Sequence, residues 1–270
     1  MDRRFKGYLL VSDMDGTLIG SDKLISVENI KAINRFAAQG GIFTLATGRM
    51  MESVRKYLDV VDVNIPIILY NGTKIYDYNE GKTIYELFLE DKVKNIIRKL
   101  KQHDPSLGIE IYYDENVYIF NKCRFTKRFS PERTDVHYKM PNNLWNKNWT
   151  KILILGEEDQ IDKLENAFVS VFGEVNLVKS GENYLEILPQ NTSKGHALET
   201  LCEILNIDIA KTITIGDNMN DYEMLKRSGY GFCVANGNKK LFEEVSYKCC
   251  SNDEHVIDFV VKWAEENLAI

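Results

Sequence analysis

The sequence predicts an α/β protein: a doubly wound, Rossmann-like parallel sheet interrupted by an inserted α+β module. Three observations carry that reading. Short apolar runs alternate with amphipathic segments in the first third, closely spaced strand-like runs crowd the middle, and the first texture returns after Pro189. With 270 residues, 44% of them hydrophobic, the chain has material for one large domain or two smaller ones.

Tyr8–Ser12 reads as a buried strand. Ser26–Gln39 reads as a helix, with Val27, Ile30, Ile33 and Ala37 on one face, Ser26 as N-cap and Gly40-Gly41 as its stop. Ile42–Ala46 is the next strand, Met51–Leu58 a short helix and Pro66–Tyr70 a third strand. Strand–helix–strand at this spacing implies parallel strands joined by right-handed crossovers.

From residue 73 the texture changes. Thr73–Tyr78, Thr83–Phe88, Ile109–Tyr113 and Val117–Phe120 are strand-like, with turn signals at Asn79-Glu-Gly81 and Asp114-Glu-Asn116, which suits hairpins. Two helical patterns interleave, one through Val93, Ile96, Ile97 and Leu100, the other through Ile161, Leu164, Phe168 and Val171. Lys151–Leu155, Glu174–Val178 and Asn183–Leu188 add strands, so the insert is expected over 82–188 and the α/β domain over 1–81 and 189–270. In the second half of that domain Gly195–Leu205 is helical, Thr212–Ile215 a strand, Asp221–Ser228 a helix, Gly231–Ala235 a strand and Val256–Ala264 a final helix.

The composition excludes several functions. With 34 basic and 40 acidic side chains the net charge is −6, which argues against a general nucleic-acid binder. The longest apolar stretch, around Ile65–Tyr70, is far short of the ~18–20 residues of a membrane span. The run after the basic start, Tyr8-Leu-Leu-Val11, is too short for a secretory signal. Five scattered cysteines without a CxxC read as reduced thiols, and four histidines without ligand spacing offer no metal site. A cytoplasmic enzyme is expected, a monomer or weak homo-oligomer.

Four polar clusters flank elements of the α/β halves: Asp13-Met-Asp-Gly-Thr17, Thr47-Gly-Arg49, Lys194 at the start of a helix, and Gly216-Asp-Asn-Met-Asn-Asp221. A D-x-D-G-T run should arise by chance about 0.002 times in a chain of this length, so the first is specific. In a doubly wound sheet, functional groups gather outside the carboxyl ends of the strands, which is where Asp13, Thr47 and Asp217 are expected. Carboxylates brought together there repel one another, and a hard divalent cation relieves the conflict. Oxygen-only ligands favour magnesium over zinc. Lys194 and the Thr47 hydroxyl would then face an anion touching the metal, for which phosphate is the natural candidate.

These clusters resemble the four motifs of the haloacid dehalogenase (HAD) superfamily of phosphohydrolases. The long insert is similar to the C2-type cap of subclass IIB, and Asn71-Gly72 and Lys194-Gly-x-Ala-Leu198 most resemble its Cof-like sugar-phosphatase branch. The resemblance implies Asp13 as nucleophile forming an aspartyl-phosphate and Asp15 as general acid and then base. It implies Mg2+ held by the Asp13 carboxylate, the Asp15 carbonyl and Asp217. Phosphoryl oxygens would be held by Thr47, the amides of Met14 and Gly48, Lys194 and Asn220, and Asp221 would support the metal shell or orient Lys194.

The insert would act as a lid over small phosphorylated metabolites, sugar phosphates or phosphorylated cofactors. Tyr112, Tyr113, Arg124, Phe125, Lys127, Arg128 and Arg133 are its candidate contacts, none singled out. A IIB-type phosphomutase, or a fold kept only to bind phosphosugars, is the alternative. Asp15, where P-type ATPases carry threonine, favours hydrolysis.

Overall fold

A computed structural model describes residues 3–129 and 133–268. In chain order the first elements are β1 (Leu9–Ser12), α1 (Val27–Ala38), β2 (Ile42–Leu45), α2 (Met51–Leu58), β3 (Ile67–Leu69), β4 (Lys74–Asp77) and β5 (Lys82–Glu86). The middle holds α3 (Lys92–His103), β6 (Gly108–Tyr113), β7 (Asn116–Asn121), β8 (Val136–His137), β9 (Lys151–Leu155), α4 (Glu158–Phe172), β10 (Asn176–Gly181) and β11 (Tyr184–Leu188). The last part holds α5 (Lys194–Leu205), β12 (Thr212–Gly216), α6 (Tyr222–Arg227), β13 (Tyr230–Cys233), α7 (Lys239–Glu244), β14 (Tyr247–Lys248) and α8 (Val256–Asn267).

The chain divides into two compact units, Met1–Tyr85 with Ser193–Ile270, and Glu86–Thr192. The second begins and ends four residues later than the 82–188 insert read from the sequence. β5 joins β4 and β3 in one sheet of the first unit, and Asn176 Nδ2 donates to the carbonyls of Pro189 and Thr192, both at 2.8 Å, tying that stretch to the second.

In the first unit a doubly wound α/β sheet runs β14-β13-β12-β1-β2, parallel throughout. Leu9 and Val11 pack with Ala197, Leu198 and Leu201 of α5 and Met224 and Leu225 of α6. α1 starts as expected, Ser26 Oγ accepting from the Asn29 amide. α1 is tied to α8 where Asn29 Oδ1 accepts from the Ile257 amide at 2.9 Å. The third strand runs parallel beside the end of β2, as expected, through the bridge of Ala46 with Ile68, and β3 also pairs antiparallel with β4. Pro66 at its start has no amide to donate to a ladder, and its carbonyl accepts from Thr44 Oγ1 instead.

In the second unit a six-stranded sheet runs β10-β11-β9-β6-β7-β8, antiparallel except for β7 with β8. One face presents Ile109, Ile111, Ile152, Ile154, Leu185 and Ile187 to the apolar stripes of α3 and α4. The other face buries charge: Glu110 accepts from Arg128 at 2.5 and 2.8 Å and from the Tyr112 hydroxyl, and Lys151 pairs with Glu186 at 2.9 Å. Tyr112 and Arg128, read as candidate substrate contacts, are thus engaged within the insert's own polar core. β8, α7 and β14 were not anticipated, because runs of two to six residues are too short to show periodicity.

Candidate active site

β1 pairs in register with both neighbours, Ser12 lying opposite Leu45 of β2 and Ile215 of β12. The loops that follow these three strands therefore leave the sheet side by side, which brings Asp13, Thr47 and Asp217 to one edge. One carboxylate oxygen from each of Asp13, Asp217 and Asp221 lies within 4.8 Å of the other two.

Lys194 is the cation among them. It is the first residue of α5 after the N-cap Ser193, fully buried, and its Nζ donates to Asp13 Oδ1 at 2.5 Å and to Asp221 Oδ1 at 2.6 Å. Asp221 is fully buried as well, and its Oδ2 accepts from the amides of Asp217 and Asn218 at 2.9 and 3.1 Å. One carboxylate thus ties the lysine to the loop that carries Asp217.

Burial pushes the Asp13 carboxyl up to about 7, with Lys194 pulling down and Asp221 adding to the rise. Burial, then repulsion from Asp13 and Asp221, pushes Asp217 up to about 9. Lys194 moves the opposite way from what burial alone would cause, because Asp13 and Asp221 hold its proton. A single ammonium does not neutralise three carboxylates, and every donor here is oxygen, so the cluster fits a hard divalent cation.

Gly16 has φ +76, and a Cβ there would stand 2.6 Å from Asp217 Oδ2. The space a side chain would take is filled by the Asp217 carboxylate, which is how the first and fourth motifs come into contact. Asp15 points elsewhere: it is bridged at two points by Arg49. Burial would raise its carboxyl, but the Arg49 hydrogen bonds and charge hold it below the usual carboxylate value.

Thr47, nearly fully buried, donates its amide to the Ile68 carbonyl at 2.9 Å, accepts from the Arg49 amide at its Oγ1 and accepts from the Asn71 amide at its carbonyl. Gly48 lies against the Asn71 side chain, where a Cβ would meet Asn71 Nδ2 at 3.0 Å. Asn220 Nδ2 donates to Asn71 Oδ1 at 3.0 Å. Met14, its side chain fully buried, follows Asp13 and accepts at its carbonyl from the Ile19 amide.

Asn71 and Arg49 are the site residues the sequence reading left without a role. Asn71 joins the second and fourth motifs from a backbone in which Tyr70, Asn71 and Gly72 all have positive φ, at 51, 55 and 97 degrees. Asn71-Gly72 was visible as a pair, but its contact with Asn220, 149 residues away, was not.

Comparison with known proteins places the chain among its relatives. Residues 10–260 match the family model of haloacid dehalogenase-like hydrolases. The chain is similar to the 5-amino-6-(5-phospho-D-ribitylamino)uracil phosphatase YwtE of Bacillus subtilis, 28% identical over 286 residues that cover 92% of this chain and 95% of that one. It is also similar to the HMP-PP phosphatase of Yersinia pseudotuberculosis, 28% identical over 247 residues, covering 88% and 87%. The solved structure of BT4131, described as a HAD subclass IIB sugar phosphatase, superposes with a TM-score of 0.80 over 96% of this chain and 98% of that one at 16% identity. The chain belongs to the haloacid dehalogenase-like hydrolase family.

Proposed function

We propose that the protein is a Mg2+-dependent phosphatase of small phosphorylated metabolites, acting through an aspartyl-phosphate. The observation that carries this is the cluster of buried Asp13 and Asp221 and half-buried Asp217 around Lys194. The names of YwtE, the HMP-PP phosphatase and BT4131 support small phosphorylated metabolites as the substrate class.

Asp13 is read as the nucleophile: its carboxylate forms a bond to phosphorus as the ester P–O bond breaks, splitting one slow displacement into two. Asp15 gives its proton to the leaving oxygen and then takes one from the attacking water, assistance that typically contributes 10²–10⁴-fold. The Asp13 carboxylate, the Asp15 carbonyl and Asp217 would hold the magnesium ion, which when bound supplies positive charge against the repulsion between nucleophile and phosphate. Lys194, the Thr47 hydroxyl, the amides of Met14 and Gly48 and the Asn220 amide are read as phosphoryl donors. Asp221, already committed to Lys194 and two backbone amides, orients the lysine.

Release of inorganic phosphate from a panel of sugar and cofactor phosphates, with magnesium and after chelation, tests this. Phosphate release that depends on magnesium is expected. Isomerised sugar phosphate without free phosphate would indicate the mutase reading, and binding without turnover the binding-protein reading.

A further inference from the structure

Arg49 completes the run Thr47-Gly-Arg49, and no part of the mechanism above falls to it. Its guanidinium holds Asp15 at two points, Nε donating to Oδ2 and Nη2 to Oδ1, both at 2.6 Å. Parallel paired bonds of this kind fix direction as well as distance.

The two partners differ in freedom. Arg49 Nη1 donates to the Ser53 carbonyl at 3.1 Å, and its guanidinium carbon sits 5.0 Å from the centre of the Tyr57 ring. The Arg49 amide donates to Thr47 Oγ1, and its carbonyl accepts from the Tyr70 amide at 3.1 Å. Asp15 is a short side chain, 56% exposed against 22% for Arg49. The guanidinium is therefore the anchored member of the pair and the carboxylate the movable one. A carboxyl group can protonate a leaving oxygen only by presenting one of its own oxygens to it, so one of the two bonds must open while the other holds the aim.

We propose that Arg49 is the positioning residue for Asp15, a fixed guanidinium that keeps one carboxyl oxygen while the other turns toward the leaving group. The oxygen freed from Arg49 takes up a proton, and in that step this O–H bond breaks and the proton passes to the ester oxygen. The P–O bond to that oxygen breaks and the bond from Asp13 to phosphorus forms. In the second step water attacks phosphorus, its proton returns to Asp15 and Asp13 is released. The inference rests on the reading of Asp15 as general acid.

The experiment compares 4-nitrophenyl phosphate, whose leaving group needs little protonation, with glucose 6-phosphate, whose alkoxide does. Arg49→Gln should lower kcat on glucose 6-phosphate by roughly tenfold or more, and by less than about threefold on the nitrophenyl ester, with KM little changed on either. Arg49→Lys keeps the charge but not the fork and should recover only part of the loss. In an Asp15→Asn background, Arg49→Gln should cost nothing further, since there is no acid left to aim.

Equal losses on both esters, additive losses in the double variant, or a faster enzyme would overturn the inference. If Asp15→Asn itself shows no difference between the esters, the general-acid reading fails and this inference with it. If Asp15→Asn shows the difference and Arg49→Gln does not, only the role of Arg49 fails. Should Arg49→Gln not fold, the ester contrast of Arg49→Lys decides.

Discussion

Lys194 donates to Asp13 at 2.5 Å although 181 residues separate them in the chain, and both are nearly inaccessible to solvent. The contact sets the charge state of the site: the same ammonium meets Asp221 on its other side, so three acids share one buried cation.

Removing that cation should be costly. Lys194→Met would leave Asp13 and Asp221 buried without their partner, and breaking such a pair typically costs 3–5 kcal/mol. Urea denaturation should show a loss of about that size, magnesium should restore part of it, and phosphate release should vanish. Wild-type stability in the variant would mean that the carboxylates are not held charged by the lysine.

The metal-free protein should become less stable as pH rises. Unfolded, the Asp13 and Asp217 carboxyls titrate near 3.8; folded, burial and mutual repulsion move them to about 7 and about 9. Between those limits the folded chain retains protons that the unfolded chain releases, so stability falls as pH climbs through the window. Magnesium replaces those protons. Its increment in melting temperature should therefore be larger at about pH 8.5 than at about pH 5.5, and a constant increment would count against the cluster as the metal site.

Asp13→Asn should separate chemistry from folding. The amide is nearly the same shape but cannot attack phosphorus, and Lys194 keeps its bond to Asp221. Turnover should drop by at least roughly 10³-fold, in line with the loss of a covalent nucleophile. The far-ultraviolet spectrum should be unchanged, and no phosphorylated protein should be trapped by acid quench.

Two glycines with positive φ should respond differently to alanine. At Gly72 (φ +97) a Cβ would stand 2.1 Å from the Ser193 carbonyl oxygen, which belongs to the residue capping the helix that begins with Lys194. At Gly173 (φ +92) it would meet nothing within 4 Å. Gly173→Ala should cost only backbone strain, of order 1–3 kcal/mol. Gly72→Ala adds overpacking of about 1–3 kcal/mol and should also impair activity by displacing Lys194. Thermal melts and phosphate release on both variants distinguish the two effects.

The buried charge of the inserted unit offers a further comparison. The Glu110 side chain is fully buried and meets Arg128 at 2.5 Å, whereas Lys163 and Asp159 pair at 3.0 Å with both side chains largely exposed. Arg128→Ala should destabilise the protein by roughly 3–5 kcal/mol, because Glu110 is left charged in the interior. Lys163→Ala should change stability by well under about 1 kcal/mol. Denaturation midpoints of the two variants settle the order.

Local chemistry was open to reading wherever a few adjacent residues suffice. Asp13-Met-Asp-Gly-Thr17 announces a strand end with two carboxylates, Ser26 and Gly40-Gly41 bracket a helix, and the run Met51–Leu58 shows its own apolar face. Such features depend on neighbours within about one turn of helix or one strand, so order along the chain carries them.

What the sequence by itself determined is therefore the kind of elements, their order and the residue types offered at the strand ends. Tertiary structure alone decided which of those residues meet. The in-register pairing of β1 with β2 and β12 brings Asp13 beside Asp217, turns Asn71 onto Asn220 and places Arg49 on Asp15. Packing within each unit likewise pairs β3 with β4 in the first and commits Arg128 to Glu110 in the second. The physical reason is that register and side-chain direction are collective properties of packed elements, to which no single stretch of chain has access.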